Sequence, residues 1–277
     1  MGSFETNKTS TAPHDPQESL RQRAALRQRV SDWFDMPLGR SLQALEANQL
    51  RNILPTLYGT VAVQLGQVGK LDLMDACVAP TRILLDVVSS ECNCFVRGQS
   101  EALPFDTRSV DVAILPHTLD FAVDLHQILR EVQRVLSPEG HVVILGFNPL
   151  SLWGLWHLAR KRRSRVPWCA NFVSQSRIKD WLGLLDLELT HVSTLYHRPP
   201  LQNADVRDRL YFLDKLGGRW WPGTAAVYML VAKKRVVGMT ALQPDWERKK
   251  KLISGLTQPA ARVIYPRIPQ WRLHRDG

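Results

Sequence analysis

Residues 110–145 of this chain read as a strand, a helix and a second strand in close succession. Val110–Leu115 is a short, mostly apolar run with branched side chains, as expected of a strand buried within a parallel sheet. Pro138–Gly140 is a stop signal for the helix, and the apolar run His141–Leu145 follows at once. The pattern predicts a right-handed βαβ crossover, which commits the chain to an α/β sheet. The helix between the strands owes its single apolar face to residues at three- and four-residue spacing: Leu125, Ile128, Leu129, Val132, Val135 and Leu136.

Four short sequence motifs in this part of the chain, in this order, resemble those of a known protein family. They are Glu101–Phe105 (E-A-L-P-F), Val110–Leu115, Leu129–Leu136 and Pro138–Gly140. In the residues and spacing of these motifs, the segment resembles the second half of class I S-adenosylmethionine-dependent methyltransferases of the type-11 group. The resemblance implies a Rossmann-like, doubly wound, mostly parallel seven-stranded sheet with helices on both faces and S-adenosyl-L-methionine as the cofactor.

The likeness and the composition together divide the chain into four segments. Residues 1–17 are polar, contain prolines and lack periodicity, so we expect them to be disordered. Residues 18–57 have the apolar spacing of two helices, 58–235 are the expected methyltransferase domain, and 236–277 form a basic C-terminal tail. The resemblance implies that the N-terminal helices cover one side of the cofactor cleft. Their aromatic residues then either line a substrate entrance or simply pack against the sheet.

The resemblance assigns the cofactor site to the first half of the domain. In the family, the first strand ends in a D-x-G-x-G-x-G loop, and residues 60–69 are its best counterpart. Gly66 matches a family glycine, Gln64 takes the place of the family acid, and Val68 stands where a later glycine is expected. Valine disfavours both the positive φ angle and the close backbone approach that glycine permits there. A one-residue shift to Gly69 is the alternative that the sequence leaves open.

Two further positions match the parts of the family site that hold the ribose and the adenine. Asp86 lies near the end of the second predicted strand, where the family has an acid for the ribose hydroxyls. A strand-end carboxylate with no ligand is the other interpretation. Gln99 follows the third strand, and its amide can hydrogen-bond the adenine amino group without supplying charge.

The reaction centre of this superfamily follows the fourth strand, which here corresponds to residues 115–120. On the resemblance, Pro116 contacts the cofactor. His117 is the candidate general base or substrate ligand, because the ordinary pKa of histidine is close to neutrality. A histidine at a helix start with no chemical task is the alternative.

The formal charge of +10 is concentrated in two places. One is the run Arg160–Arg165, which has five basic residues and tryptophans beside it, and the other is the tail from Lys233 onward. Clusters of this kind suit an anionic partner, either nucleic acid or an anionic membrane surface. A solvated, solubilising surface explains them equally well.

Several classes of protein are disfavoured by what the sequence lacks. No apolar run approaches the length of a transmembrane helix and no signal-peptide pattern begins the chain, so we expect a cytoplasmic protein without a transmembrane segment. Cys77, Cys92, Cys94 and Cys169 do not have the spacing of a metal site. We therefore expect reduced thiols and no metal.

The sequence leaves two functional hypotheses. The first is an S-adenosylmethionine-dependent methyltransferase acting on an unidentified acceptor, either a small molecule or RNA. The second is a methyltransferase-like fold that has lost catalysis and binds RNA or a protein, and it is motivated by Gln64, Val68 and Gln99. Binding of S-adenosylmethionine distinguishes the two.

Overall fold

A computed structural model describes residues 16–88, 94–160, 166–200 and 222–235 of the protein. Its strands form one seven-stranded sheet, in the spatial order β3-β2-β1-β4-β5-β7-β6 once they are numbered along the chain. The first five strands run parallel to one another, whereas β7 is antiparallel to both of its neighbours, β5 and β6. The expected Rossmann-like, mostly parallel sheet is confirmed. The strands are β1 (Val61–Leu65), β2 (Thr81–Asp86), β3 (Phe95–Arg97), β4 (Val110–Pro116), β5 (Leu136–Phe147), β6 (Leu187–Leu195) and β7 (Val227–Lys234).

Helices cover both faces of the sheet, as expected from the resemblance. The described helices are α1 (Pro16–Phe34), α2 (Pro37–Ile53), α3 (Leu125–Val135), α4 (Leu152–Arg160) and α5 (Gln175–Leu184). One core cluster joins α1, α2 and α4 to the face that carries Ala62, Val112 and Val143. A second cluster joins α3 and α5 to the opposite face, through Val63 and Ala113. The alternation of neighbouring residues between the two clusters follows from the two-residue period of a strand.

The βαβ unit predicted from residues 110–145 is present, with one correction at its end. Helix α3 ends at Val135, and β5 begins directly at Leu136 rather than after Gly140. Pro138 lies within β5, where the register with β4 shifts between Val110 and Val112. Proline is tolerated at such an irregularity, because the ladder there does not need its missing N–H.

The first crossover of the sheet differs from the others. Residues 66–80, which join β1 to β2, form turns and bends without a helix. In an open α/β sheet, the helix after the first strand usually points its N-terminus at the ligand's anionic group. Because residues 66–80 contain no helix, this connection supplies no helix N-terminus to attract an anion. An open groove of about 440 Å³ lies beside β1 and β2, and its lining includes Gln64 and Arg82.

Parts of the sequence-based prediction fall outside the described residues. They are the start of the expected disordered N-terminus (1–15), most of the segment before the last strand (201–221) and almost all of the basic tail (236–277). Helix α1 begins at Pro16, two residues before its predicted start.

Candidate cofactor site

The carboxyl ends of β1, β2 and β4 meet at one edge of the sheet, and the turn after β1 has the backbone of a ligand cradle. Gly66 has φ +88°, a left-handed conformation that glycine adopts without strain. Its N–H donates to the carbonyl of Leu85 over 2.7 Å, which fixes the turn against β2. A Cβ at Gly66 would lie 2.7 to 2.8 Å from the guanidinium atoms of Arg27. A side chain at this position would therefore displace the Arg27 guanidinium, and the left-handed backbone would add strain.

Val68 and Gly69 show how the loop works without the expected later glycine. The Val68 side chain is fully buried in the core cluster beneath α2, and its carbonyl accepts a hydrogen bond from Gln43. Gly69 takes the second left-handed position, with φ +61°. The second left-handed glycine thus lies one position later than in the family pattern, and its compensation for the lost glycine in cofactor binding stays a prediction.

Asp86 ends β2 with its carboxylate directed at the same loop. One oxygen accepts a hydrogen bond from the backbone N–H of Gln67 over 2.7 Å, and the other accepts from the N–H of Val87 over 2.6 Å. The residue is buried, with 5% of its surface exposed. The N–H of Val88 also donates to the second oxygen, over 3.4 Å. Because each carboxylate oxygen can accept two hydrogen bonds, the oxygen bonded to Gln67 keeps capacity for a hydroxyl donor.

Helix α1 lies over this edge and places two arginines in the cleft. The Arg23 guanidinium pairs with Glu101 over 2.8 Å and donates to Gln99 Oε1 over 3.4 Å. Nη1 of Arg27 is buried and has no hydrogen-bond partner among the described residues. A buried guanidinium N–H left unpaired costs free energy, so this nitrogen is suited to receive an anion.

The cleft beneath α1 is narrow. Its cavity measures about 50 Å³, far below the several hundred Å³ typical of cofactor sites. A second cavity of about 140 Å³ lies on the other side of Arg27 and shares Asp86 with the first. The Arg27 side chain of α1 lines both cavities. The lining of the first cavity includes Arg23, Arg27, Asp86, Ser100, Glu101 and Thr118.

The structure brings together some of the predicted cofactor residues and separates others. Gly66 and Asp86 lie at the cleft. Gln64 lies on the far side of the loop, where its amide donates to the Gly66 carbonyl over 3.0 Å and faces the 440 Å³ groove. Gln99 forms a small turn with Ala102 and pairs with Arg23, and its neighbour Ser100 lines the cleft instead. Pro116 is buried at the end of β4.

His117 lies at the centre of a fully buried cluster of charged side chains. Its Nε2 is 2.8 Å from Glu46 Oε1 of α2, and its Nδ1 is 2.9 Å from Asp120 Oδ2. None of the three side chains has exposed surface. Asp120 also accepts a hydrogen bond from the backbone N–H of Phe147 over 3.0 Å. The cluster thus ties α2 to the ends of β4 and β5.

The electrostatics of this cluster favour a charged imidazole. Burial alone lowers the pKa of His117, but the negative charge of Glu46 and the hydrogen bonds to Asp120 and Glu46 raise it to about 9. Burial raises the pKa of Asp120 above its usual value, against the opposing effect of His117. His117 is therefore protonated at neutral pH and donates through both ring nitrogens.

The aromatic residues near this cluster are packed rather than exposed. Trp33 and Phe34 of α1, Phe147 of β5 and Trp153 of α4 are each buried. The His117 ring lies 4.2 Å from the Phe147 ring, between centroids, and 5.4 Å from that of Phe34. The packing interpretation of the N-terminal aromatic residues is the one that the structure supports.

Sequence reasoning missed three residues at this site, although signals for them exist. Arg23 and Arg27 are four residues apart, so they share one face of α1 and reach the same cleft. Glu46 stands between Leu42 and Leu50 at four-residue spacing, inside the apolar stripe of α2. A lone acid in such a stripe predicts a buried charged partner on the surface that the helix covers.

The described residues include no group of three or more His, Cys, Asp or Glu side chains able to hold a metal ion. Among the same residues, no helix is long and apolar enough to cross a bilayer.

Comparison with known proteins agrees with this fold. Residues 59–144 match the family described as "Methyltransferase domain". The protein YafS of Escherichia coli K12 is 31% identical over 225 residues, which cover 79% of this chain and 86% of YafS. UbiE of Hahella chejuensis, a ubiquinone/menaquinone biosynthesis C-methyltransferase, is 36% identical over 87 residues, or 30% of this chain and 35% of UbiE.

The fold itself has close counterparts among solved structures. A SAM-dependent methyltransferase of Thermotoga maritima superposes with a TM-score of 0.50 at 17% identity, covering 79% of this chain and 96% of that one. The chain therefore belongs to the class I S-adenosylmethionine-dependent methyltransferases, in one family with YafS. The methyl donor of this class is S-adenosyl-L-methionine, which confirms the expected cofactor.

Three observations test whether the residues present suit that cofactor. The left-handed turn at Gly66 has no side chain of its own, so it offers the close backbone approach that the cofactor requires. The buried Asp86 carboxylate has free acceptor capacity for ribose hydroxyls. The unpartnered nitrogen of Arg27 supplies a cation for a carboxylate. The three residues therefore suit the cofactor chemically, but the cleft must widen before the cofactor can enter.

Proposed function

We propose that the protein transfers a methyl group from S-adenosylmethionine to an acceptor that is a small molecule or RNA, and that it works in the cytoplasm. The observation that carries this proposal is the meeting of Gly66, Asp86 and Arg27 at the carboxyl edge of the sheet. Methyl transfer is a displacement in line with the breaking bond, so the protein's main tasks are to position the reactants and to exclude water. Helix α1, which lies over the cleft, is placed to exclude water.

In this proposal, Asp86 would hold the ribose hydroxyls. Its three backbone hydrogen bonds fix the plane of the carboxylate before any ligand arrives, which reduces the entropy lost on binding. Ser100 and Glu101 are the residues beyond β3 that face the same cavity, so they take the adenine side that the sequence assigned to Gln99. Gln64 and Pro116 would shape the loop and the strand end without touching the ligand.

Arg27 would hold the carboxylate of the cofactor's methionine portion. The helix N-terminus that usually attracts such an anion is missing, because residues 66–80 contain no helix. Arg27 replaces that partial positive charge with a full one, at the turn where the amino-acid part of the ligand approaches Gly66. A guanidinium is well suited to this, since it can form two parallel hydrogen bonds with a carboxylate.

Binding of the cofactor requires the side chains of α1 to move. A cavity of about 50 Å³ cannot contain a ligand of this size, and Arg23, Leu26 and Arg27 are the α1 residues that line it. The Arg23–Glu101 ion pair is partly exposed, with 31% and 19% of the two side chains accessible. Such pairs contribute only about 0–1 kcal/mol, so opening costs little.

His117 enters the proposal as a positioning residue. A general base needs a nitrogen that is free to take a proton and within reach of the acceptor. Both ring nitrogens of His117 are hydrogen-bonded to carboxylates and the ring has no exposed surface. The predicted role as a base would need one of these bonds to open, whereas the role of holding α2 beside the cleft needs no change.

Calorimetric titration with S-adenosylmethionine and S-adenosylhomocysteine tests the cofactor site. We expect micromolar binding that Asp86→Ala weakens about a hundredfold, because the hydrogen bonding between the carboxylate and the ribose is lost and the loop backbone loses its anchor. Asp75→Ala is the matched control, since Asp75 is an exposed acid on the loop before β2. No binding of either ligand at high protein concentration would favour the alternative, a degenerate fold that binds RNA or a protein.

The role of Arg27 is tested by a ligand that lacks the amino-acid part. Arg27→Met should weaken binding of S-adenosylhomocysteine about tenfold or more and leave binding of 5′-methylthioadenosine unchanged. Arg21→Met, on the same helix and exposed, is the control. If Arg27→Met tightened both ligands equally, Arg27 would be an obstruction rather than a ligand of the carboxylate.

A further inference from the structure

The loop formed by residues 99–106, between β3 and β4, supplies two residues to the cofactor cleft. It consists of turns and bends, with one bridge between Gln99 and Ala102. Ser100 and Glu101 of this loop line the cavity beneath α1. Because turns and bends leave many backbone groups without partners in the loop itself, the 99–106 loop needs hydrogen-bond partners from outside.

Those partners come from one side of helix α3. Gln127, Glu131 and Arg134 follow one another at four- and three-residue spacing, so their side chains lie on the same side of the helix. We call these three residues the α3 row. Gln127 Nε2 donates to the carbonyl of Glu101 over 3.4 Å. Glu131 Oε2 accepts a hydrogen bond from the N–H of Leu103 over 3.0 Å.

Arg134 contacts two carbonyls of the loop and also holds Glu131. Its guanidinium donates to Leu103 through Nη2 and to Phe105 through Nη1, each over 3.0 Å. It forms two further bonds with Glu131, from Nε to Oε1 over 3.0 Å and from Nη2 to Oε2 over 2.8 Å. These bonds hold the pKa of the Glu131 carboxyl below its usual value, so the pair is charged at neutral pH. The paired carboxylate fixes the planar guanidinium in the orientation that reaches the loop.

The α3 row contacts the loop through its backbone, whereas the side chains of Ser100 and Glu101 face the cleft. Leu103 is buried in the core cluster that includes α3, which fixes one end of the contact region. The contacts join two of the sequence motifs that carry the family resemblance, Glu101–Phe105 and Leu129–Leu136. The row therefore determines where the two cleft residues lie, although the row itself contacts only the back of the loop.

We propose that Glu131 and Arg134 are positioning residues, which set the preference of the site for adenine by fixing the 99–106 loop. This inference rests on the proposed function, in which Glu101 lies on the adenine side of the cofactor. The pair with Arg23 uses Oε1 of Glu101, so the carboxylate keeps acceptor capacity for the adenine amino group. Hypoxanthine lacks that amino group. A carboxylate on a loop without the α3 row would have to be ordered on binding, which reduces the affinity that its hydrogen bond supplies.

Calorimetry with S-adenosylhomocysteine and S-inosylhomocysteine, which carries hypoxanthine in place of adenine, tests the role in adenine preference. Arg134→Met should weaken binding of the adenine ligand about tenfold and that of the hypoxanthine ligand less than about twofold. Arg134→Lys should fall between wild type and Arg134→Met, because it keeps the charge and loses the planar fork. Arg130→Met, at an exposed position of the same helix, is the matched control and should leave both affinities unchanged.

Hydrogen exchange without any ligand tests the positioning of the loop independently of the cofactor. In Arg134→Met and in Glu131→Ala, the amides of residues 99–106 should exchange about tenfold faster, and those of β4 should be unchanged. Gln127→Ala removes one long hydrogen bond, so it should give the same effect at a smaller size in the variant that disturbs the fold least. Circular dichroism verifies that each variant is folded.

Two results would overturn the positioning role. One is exchange of the 99–106 loop that Arg134→Met and Glu131→Ala leave unchanged. The other is an equal loss of affinity for the adenine and hypoxanthine ligands, which a general loss of stability would produce. A wild-type protein that bound neither ligand would instead overturn the proposed function, and with it the link between the α3 row and adenine, whatever the exchange of the loop.

Discussion

The two N-terminal helices cover the same edge of the sheet but are held there by interactions of very different strength. Helix α2 is anchored by Glu46, whose carboxylate is fully buried against His117. The C-terminal part of helix α1 is buried in the core through Val30, Trp33 and Phe34. Over the cleft, however, α1 is held by Arg23, whose ion pair with Glu101 is partly exposed, and by Arg27, which has a buried nitrogen without a partner among the described residues.

This difference indicates which helix can move. Breaking a buried charge pair leaves an uncompensated charge away from water, whereas breaking an exposed pair exchanges it for hydration. Helix α2 therefore belongs to the fixed framework, and the part of α1 over the cleft, around Arg23 and Arg27, is the part that can open for the cofactor. The following predictions test that division, beginning with the largest expected effect.

Glu46→Ala should destabilise the protein by about 3–5 kcal/mol, because it leaves a buried imidazolium without one of its two partners. Chemical denaturation of both proteins measures the free energy of unfolding. Glu18→Ala, at an exposed position of α1, should change it by less than about 0.5 kcal/mol. Equal effects of the two substitutions would show that α2 is not anchored by its buried charge. Glu46→Gln keeps a hydrogen-bond acceptor for His117, so it should destabilise the protein less than Glu46→Ala does.

The stability of the protein should fall as the pH rises from 6.5 to about 9. The pKa of His117 is raised in the folded protein to about 9, so its stabilising contribution is complete below pH 6.5 and is lost as the pH rises through 9. The loss is on the order of 3 kcal/mol.

Denaturation at several pH values, with His117→Asn as the reference, isolates this contribution. Asparagine is chosen because it tolerates the left-handed backbone of this position, where φ is +53°. An identical alkaline loss of stability in both proteins would mean that His117 is not the group responsible.

Gly66→Arg should abolish binding of S-adenosylhomocysteine, with at least about a hundredfold loss of affinity. The new side chain needs the space that the Arg27 guanidinium and the ligand share. The left-handed backbone adds a cost of about 1–2 kcal/mol to folding, which leaves the fold intact. Gly183→Arg is the control, since no atom lies within 4 Å of a Cβ there. Unchanged affinity in the Gly66 variant would place the cofactor elsewhere.

Glu101→Gln should have the smallest effect on stability, below about 1 kcal/mol, because the Arg23 pair that it weakens is partly exposed. Hydrogen exchange should nevertheless become faster in α1 and stay unchanged in α2, since only α1 is released. If both helices exchanged faster together, they would move as one body and α1 would not be a separate lid.

The parts of the fold that follow from local periodicity were predictable. The short, mostly apolar run Val110–Leu115 predicted a strand buried on both faces of the sheet. The apolar spacing of Leu125–Leu136 predicted a helix, because burial of one helix face selects a 3.6-residue period. Gly66 and Asp86 were recognisable because a family motif places them at the ends of strands. The end of α3 was mispredicted, since Pro138 at a β-bulge looks the same in sequence as Pro138 after a helix.

The amino-acid sequence alone determined the class of fold and the chemistry of the donor, because both depend on residues that are near one another along the chain. Tertiary structure decided which side chains share the cleft. Arg27 reaches Gly66 across 39 positions of sequence, and Glu46 meets His117 across 71. Periodicity places such residues on a helix face, but only the packing of that helix on the sheet selects the partner and removes the water between them.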